Sequence, residues 1–366
     1  MINQTLIWLL LLPFLLGAGL WFAVRSRIGS VDKIKLSGIV VAVAFALTAT
    51  IFLVGKGAKT MDVEIINGQV TSKSRDHGTY EQAYQCNCRM VTTGYGKDQT
   101  TTQVCDTCYE THYTVKWTSF TTIGDFVIDS EDSTSRSVYN TADPVFYLNI
   151  QKGDPASDTH RYTNYVQAVP ESLFTPTSTE LKKRFAMLVP SYPGSIYNHY
   201  TNDHVLSPGL NMADRPVWNR EVALMLRDLG PAKQVNAIIV FAKTDDPNYE
   251  YALRDAWENG NKNDVIVVIG TKNYPAIDFV RVISWTKKEL FKIELRDDIQ
   301  KLGTVQHTIV PMIAAQITKN FERRHMSEFE YLDGEIDPPT WVMIIIVIIQ
   351  LAGFGFVFYK TQHRRW

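Results

Sequence analysis

Three long runs without a charged residue constrain this chain more than any other feature. They cover residues 6–24, 38–54 and 341–359. As helices, all three are long enough to cross a hydrocarbon layer of roughly 30 Å. Gln350 is the one strongly polar residue of the third run. Because charges inside a membrane mark transporters and proton relays, their absence here argues against a pore or transporter and favours anchors.

Two clusters of basic residues lie next to these runs. They are Arg25, Arg27, Lys33 and Lys35 between the first two runs, and Lys360, Arg364 and Arg365 after the third. Basic loops stay in the cytoplasm, so we expect the N-terminus and residues 55–339 to be extracytoplasmic and residues 360–366 to be a cytoplasmic tail. The first five residues contain no Lys or Arg, which favours a retained helix over a cleaved signal peptide. We therefore expect a multi-pass protein of a bacterial inner membrane, with a periplasmic ectodomain.

Length and charge limit the ectodomain further. The 366 residues suffice for two ordinary domains, and the net charge is -1. There is no basic excess of the kind that nucleic-acid binding requires, so we expect no nucleic-acid partner. The partners that we expect are the lipid bilayer and either a second copy of the chain or another envelope protein.

The C-terminal part of the ectodomain, residues 217–326, has the pattern of an α/β domain. Residues 235–242 and 264–269 are nearly continuous apolar runs, typical of buried strands, and one helix between them makes the strands parallel. A third strand, 277–285, contains Asp278 and Arg281 and follows a short turn, which predicts an antiparallel edge strand. Predicted helices cover 219–229, closed by Gly230-Pro231, and about 307–324. A further helix after Thr286 is expected to bury the residues Leu290, Ile293, Leu295 and Ile299.

Residues 60–174 have the short alternating runs of a β-rich module. We expect strands at 62–66 and 69–72 around an Asn67-Gly68 turn, and further strands at 113–117, 125–129 and 145–149. A linker rich in Pro and Ser, 175–216, follows this module. It contains His199, Asp203 and His204, which a chance cluster in a loop explains better than a metal site.

All four cysteines of the chain lie in the β-rich module, as Cys86-Asn-Cys88 and Cys105-Asp-Thr-Cys108. Two closely spaced pairs suit either one four-cysteine zinc site or two disulfides. Thiols outside the cytoplasm are normally oxidised, whereas the second pair has ordinary zinc-knuckle spacing. The sequence leaves both alternatives open.

The element order of the α/β domain carries a resemblance. A helix, strand, helix, strand, strand, helix, helix order, with Asn263-Asp-Val-Ile-Val-Val268 opening the second strand, resembles the TPM domain. The resemblance implies an extracytoplasmic α/β sandwich tethered by the transmembrane helix at 340–359. The Gly-Tyr-Gly segment of many members is replaced here by Ser284-Trp285-Thr286. The whole chain is then expected to be an α+β membrane protein with three transmembrane helices.

A second resemblance covers the cysteine segments. The stretches that begin at Asp62, Tyr84 and Cys105 are similar to uncharacterised membrane proteins of tailed bacteriophages. This similarity implies a phage origin for the chain.

Two functions follow as hypotheses. We favour a non-catalytic assembly or host-interaction factor, with the strand that carries Asp278 and Arg281 facing an oligomer mate or partner. No hydrolase elbow, phosphate-binding loop or His-Glu-x-x-His motif occurs in the sequence. The alternative is a metal-dependent phosphatase, since some TPM-like proteins are phosphatases. Its weak cation candidates are Asp245 and Asp246, which helix capping also explains.

Overall fold

The computed structural model describes residues 4–23, 30–94, 99–169, 178–197 and 201–363. Several residues used in the predictions lie outside this part of the chain: Arg25, Arg27, His199, Arg364, Arg365 and the side chain of Lys33.

The described part of the chain is mixed α and β. Its helices are α1 (Gln4–Ala23), α2 (Ser30–Thr60), α3 (Val145–Asn149), α4 (Tyr165–Ala168), α5 (Thr179–Phe185), α6 (Arg215–Lys233), α7 (Tyr249–Ala256), α8 (Glu289–Gln300), α9 (Ile309–Asn320) and α10 (Thr340–His363). Two 3-10 segments cover Arg136–Asn140 and Met326–Glu335. The strands are β1 (Met61–Thr93), β2 (Thr100–Thr121), β3 (Asp125–Ser133), β4 (Pro155–Thr163), β5 (Ile196–Tyr197), β6 (Thr201–Asn202), β7 (Val205–Leu206), β8 (Asn236–Ala242), β9 (Asp264–Gly270) and β10 (Phe279–Ser284).

These elements form two compact units. The first contains Met1–Glu64, His160–Lys182 and Arg324–Trp366, and the second contains Ile65–Thr159 and Lys183–Arg323.

The first unit holds the three apolar helices α1, α2 and α10, which are long and apolar enough to cross a membrane. They pack on one another around buried Phe52 and Ile346. Gln350 Nε2 donates to Thr48 Oγ1 at 2.6 Å and to the Leu9 carbonyl at 3.1 Å, which places the polar side chain of the third run between helices. A polar group in an apolar layer is costly without a partner, and these bonds supply one.

Most residues of a four-stranded sheet, in the order β3-β2-β1-β4, belong to the second unit. Its core forms around Trp117, Val115 and Val70, all nearly inaccessible to solvent. The predicted turn at Asn67-Gly68 is wrong, because β1 runs straight through it. The side chain of Asn67 is buried and bonds to Asn236 Oδ1 at 3.0 Å, a long-range contact that overrides the local turn preference.

Other predictions for the β-rich part had mixed outcomes. The strands at 113–117 and 125–129 are confirmed within β2 and β3. The strand predicted at 145–149 is wrong, since these residues form the short helix α3 after Pro144. Pro144 is the N-cap residue, and its carbonyl accepts the Leu148 N–H at 3.0 Å, which closes the first turn of the helix.

The second sheet has the order β10-β9-β8-β7. The parallel pairing of β8 with β9 and the antiparallel pairing of β9 with β10 confirm the predicted β-α-β unit and its edge strand. The predicted linker contributes an unexpected strand, because β7 pairs in parallel with β8. Two residues are too short a strand to produce a periodic pattern.

Helices α6, α8 and α9 complete the core of this part. The predicted inward face of α8 is partly wrong. Leu295 and Ile299 are buried with Phe291, whereas Leu290 and Ile293 are exposed. The buried residues are four apart along the helix, so that 290 and 293 lie off that stripe.

Helix α6 continues past Gly230-Pro231, where the sequence predicted its end. It ends at Lys233, followed by Gln234 in a left-handed conformation with φ 50°. Gly230 serves packing instead of termination. A Cβ at this position would lie 2.4 Å from the Asn67 carbonyl oxygen, so that only glycine lets α6 approach β1 this closely.

Candidate functional site

The four cysteines form two disulfides, Cys86–Cys108 and Cys88–Cys105. The zinc alternative is therefore wrong, because every cysteine sulfur is bonded to another sulfur and none is left as a thiolate ligand. Among the described residues, no group of three or more His, Cys, Asp or Glu side chains is placed to hold a metal ion. The disulfide alternative is the one that the chain adopts.

A β-bulge in β1 makes the second disulfide possible. Before the bulge, Gln85 lies opposite Thr107; beyond it, the register shifts by one residue, so that Arg89 lies opposite Val104. Without the shift, positions 88 and 105 would lie on opposite faces of the ribbon, because successive side chains alternate. Asn87 takes the left-handed conformation that the bulge needs, with φ 47°. Asparagine accepts this conformation more readily than most residues.

Both disulfides lie in a two-stranded ribbon that extends beyond the sheet. Strand β3 pairs with β2 only at residues 113–120, and β4 joins β1 near Val70. Among the described strands, residues 80–93 of β1 and 100–112 of β2 pair only with each other. We call this ribbon the disulfide-linked arm. At about 3.3 Å per residue it is roughly 45 Å long.

The arm exposes large apolar side chains to solvent. Tyr109 and Met90 are 67% and 66% exposed, and Tyr84 is half exposed. A two-stranded ribbon with no third strand is marginally stable in water. The disulfides therefore supply the order that a hydrophobic core supplies elsewhere in the chain.

The base of the arm is held by a polar cluster. The Tyr80 hydroxyl donates to Asp132 Oδ2 at 2.7 Å, and His112 Nδ1 lies 2.6 Å from Asp132 Oδ1. The two rings stack at 5.0 Å. Hydrogen bonds from Tyr80 and then His112 lower the pKa of Asp132, and the same carboxylate raises the pKa of Tyr80. The cluster ties β1, β2 and β3 together where the third strand ends.

The two carboxylates considered for a cation are engaged in separate ion pairs. Asp245 accepts from Lys272 Nζ at 2.8 Å, and this bond lowers the pKa of Asp245. Asp246 pairs with Arg184 at 2.8 Å and also accepts from the backbone N–H of Asn248 at the start of α7. Both acidic side chains have basic or capping partners of their own.

Asp278 directly precedes the edge strand β10 and Arg281 lies within it, and other backbone segments partly enclose this strand. Arg281 pairs with Glu250 at 3.3 Å, and Asp278 accepts from the Lys272 N–H at 2.6 Å. Isolated bridges at Ala276 and Thr286 cover the two ends of β10. Pairing of a partner with this edge stays a prediction.

The histidine cluster is not brought together as a ligand set within the described residues. His204 is buried at the start of β7, and burial lowers its pKa to about 4. Asp203 hydrogen-bonds the Tyr197 hydroxyl, which raises the pKa of that tyrosine after the larger effect of burial. His204 instead lines a cavity that sequence patterns did not reveal.

No protein-family model, curated protein or solved structure matches the chain. The likeness to the TPM domain and to phage membrane proteins is therefore a resemblance in sequence pattern alone.

Proposed function

We propose that this protein is a membrane-anchored assembly or host-interaction factor that binds another protein through its disulfide-linked arm. The observation that carries the proposal is an exposed ribbon, roughly 45 Å long, that is covalently stapled and has apolar side chains on its surface. Exposed apolar patches on a rigid element are typical of protein interaction sites. The proposal includes a phage origin and a bacterial inner-membrane location.

The arm suits recognition for a thermodynamic reason. Binding costs less conformational entropy when the binding surface is ordered beforehand, and two cross-links order this ribbon in the free protein. Exposed Tyr and Met side chains contribute large contact areas, and both residue types are enriched at interfaces. The free backbone edges of the ribbon add a second means of binding, by pairing with a strand of the partner.

The cellular location is supported by two features. Three helices long and apolar enough to cross a membrane, together with two disulfides, indicate a membrane protein with an extracytoplasmic part. We further propose that the N-terminus and the arm are periplasmic and that the C-terminus is cytoplasmic. Alkaline phosphatase fused after Lys59 should be active and a fluorescent protein fused after Tyr359 should fluoresce. If fusions after Lys59 and after Tyr359 both reported the same side of the membrane, this orientation would be contradicted.

Photocrosslinking tests the arm directly. Tyr109 on the arm is replaced by a benzophenone amino acid in the full-length chain, which is expressed in bacterial cells and irradiated. We expect one defined protein adduct, identified by mass spectrometry as a second copy of the chain or as another envelope protein. Replacing Cys86 and Cys108 by Ser should abolish the adduct at equal expression, because the ribbon then loses the cross-link next to Tyr109.

The matched control is Tyr251, which is 50% exposed and lies on α7. The same crosslinking amino acid at position 251 should yield no defined adduct. Equal adducts at Tyr109 and Tyr251, or none at Tyr109, would show that the arm is not the binding surface.

A further inference from the structure

The two faces of the disulfide-linked arm differ in charge. Residues paired across an antiparallel ribbon lie on the same face, and the faces alternate along each strand. Cys88 and Cys105 are therefore on one face, and Cys86 and Cys108 are on the other. The face of the Cys88–Cys105 disulfide also carries eight uncharged residues: Ala83, Gln85, Met90, Thr92, Thr101, Gln103, Thr107 and Tyr109. We call this part of the arm the uncharged face. Toward the base of the arm, the first charged residue on this side is Glu81.

The opposite face of the arm is charged. Its exposed apolar residues, Tyr84 and Val104, are interspersed with Arg89, Asp106 and Glu110. Covering this face with another protein would remove three charged groups from water, which costs free energy unless each meets an opposite charge. The uncharged face can be covered without that cost. It is therefore the face of the arm that suits a protein contact.

The uncharged face continues a side of the sheet that is buried elsewhere. Along β2, the same alternation places Val115 and Trp117 on this side. Both are completely buried, in a core against which Tyr139 of the first 3-10 segment packs. On the arm, by contrast, Tyr109 and Met90 are 67% and 66% exposed. The ribbon thus extends a core-forming side of the sheet beyond the segment that covers it.

We propose that the uncharged face packs against the same face of a second copy of the chain. A second arm matches this face in length and width, and neither copy brings a charge into the contact. The two ribbons would form a four-stranded sandwich, and a two-stranded ribbon gains stability when one of its faces is covered. The inference rests on the proposed function, because it names the face of the arm that binds and the partner that it takes.

The size of the uncharged face indicates where the contact forms. Residues 83–92 span roughly 33 Å, and two strands are about 10 Å wide, so each copy offers roughly 330 Å². A stable interface buries about 800 Å² on each partner. The arms alone would therefore associate weakly in solution. Each chain also has three helices long and apolar enough to cross a membrane, and two chains held in one bilayer meet at a higher effective concentration.

Photocrosslinking at two neighbouring positions tests which face binds. A benzophenone amino acid replaces either Met90, on the uncharged face, or Arg89, on the opposite face, in the full-length chain in bacterial cells. Both side chains are exposed, so the two positions differ in the face on which they lie. We expect a covalent dimer of the chain from position 90 and none from position 89. Co-expression of two differently tagged copies shows that the dimer contains two molecules of this chain.

Matched charge substitutions give a second measurement. Thr107→Glu places a carboxylate on the uncharged face of both copies, whereas Thr102→Glu places one on the opposite face, and both threonines are exposed. Burying an unpaired carboxylate is costly, so Thr107→Glu should reduce the yield of dimer crosslinked from position 90 by about tenfold or more. Thr102→Glu should leave this yield unchanged. Equal expression of the variants is checked on the same gels.

The outcomes separate this inference from the proposed function. A defined adduct between position 90 and a different protein, or a dimer formed equally from position 89, would overturn the inference and leave the arm as a binding element. An unchanged yield in Thr107→Glu, or an equal loss in Thr102→Glu, would likewise refute the assignment to the uncharged face. No adduct from position 89, 90 or 109 would overturn the proposed function of the arm as well.

Discussion

Replacing Gly230 by Ala tests the close approach of α6 to β1. The added Cβ would lie 2.4 Å from the carbonyl oxygen of Asn67 and 2.8 Å from its carbonyl carbon. Both contacts are with backbone atoms, which cannot rotate away as a side chain would. A relaxed carbon–oxygen contact is about 0.8 Å or more longer than this, so the helix or the strand must move.

The strand is poorly able to move. Asn67 Nδ2 donates to Asn236 Oδ1 at 3.0 Å, and its Oδ1 accepts from Ser157 Oγ at 2.8 Å, both in buried positions. Forced movement of a packed element costs about 1–3 kcal/mol, and a weakened buried hydrogen bond costs about 1 kcal/mol more. Replacing glycine by alanine in a helix regains only about 0.5–1 kcal/mol. We therefore expect Gly230→Ala to lower the free energy of unfolding by about 2 kcal/mol.

Denaturant unfolding of the full-length chain in micelles measures this change. Buried Trp117 and Trp218 report on the second unit by fluorescence. Gly57→Ala in α2 is the control, because a Cβ there meets no atom within 4 Å. A Gly230→Ala variant as stable as the parent, or more stable, would refute the packing argument.

Three further perturbations have defined outcomes. Replacing Cys88 and Cys105 by Ser should speed amide hydrogen exchange at the tip of the arm and leave the main unfolding midpoint nearly unchanged, because Cys86–Cys108 still closes the ribbon nearer its base and no hydrophobic core packs on the arm. The pKa of His204 is lowered in the folded state to about 4, below about 6.5 unfolded. The contribution of the neutral ring to the free energy of unfolding is thus fully present above pH 6.5 and is lost as the pH falls to 4. The expected loss of stability is up to about 3 kcal/mol. Measured by denaturant unfolding at several pH values, His204→Asn should flatten this dependence of stability on pH. Asp143→Ala removes the acceptor of Trp117 Nε1–H, now 2.8 Å away, and should cost about 1–3 kcal/mol in denaturant unfolding, whereas no change would contradict that role.

Strong local patterns predicted much of the fold. The apolar runs 235–242 and 264–269 predicted β8 and β9 and their parallel pairing, and the charge-free runs predicted three long apolar helices. These signals succeed because burial on both faces, or length without charge, leaves few alternatives to a chain. The spacing of the cysteines predicted that their sulfurs lie close together. A zinc site and two disulfides both require this proximity, so the spacing did not distinguish them. Only their placement across one ribbon decided between them.

The sequence by itself determined the membrane-length helices, the α/β core and the presence of a cysteine cluster, because periodicity and composition record local burial. The tertiary structure decided what depends on distant residues. Asn67-Gly68 has turn chemistry, yet Asn236 holds it in a continuous strand. The two-residue strand β7 exists only because β8 offers a free edge. The cavity at His204 arises where three segments meet, and no local pattern records such a meeting, because hydrogen bonds between remote residues leave no period in the chain.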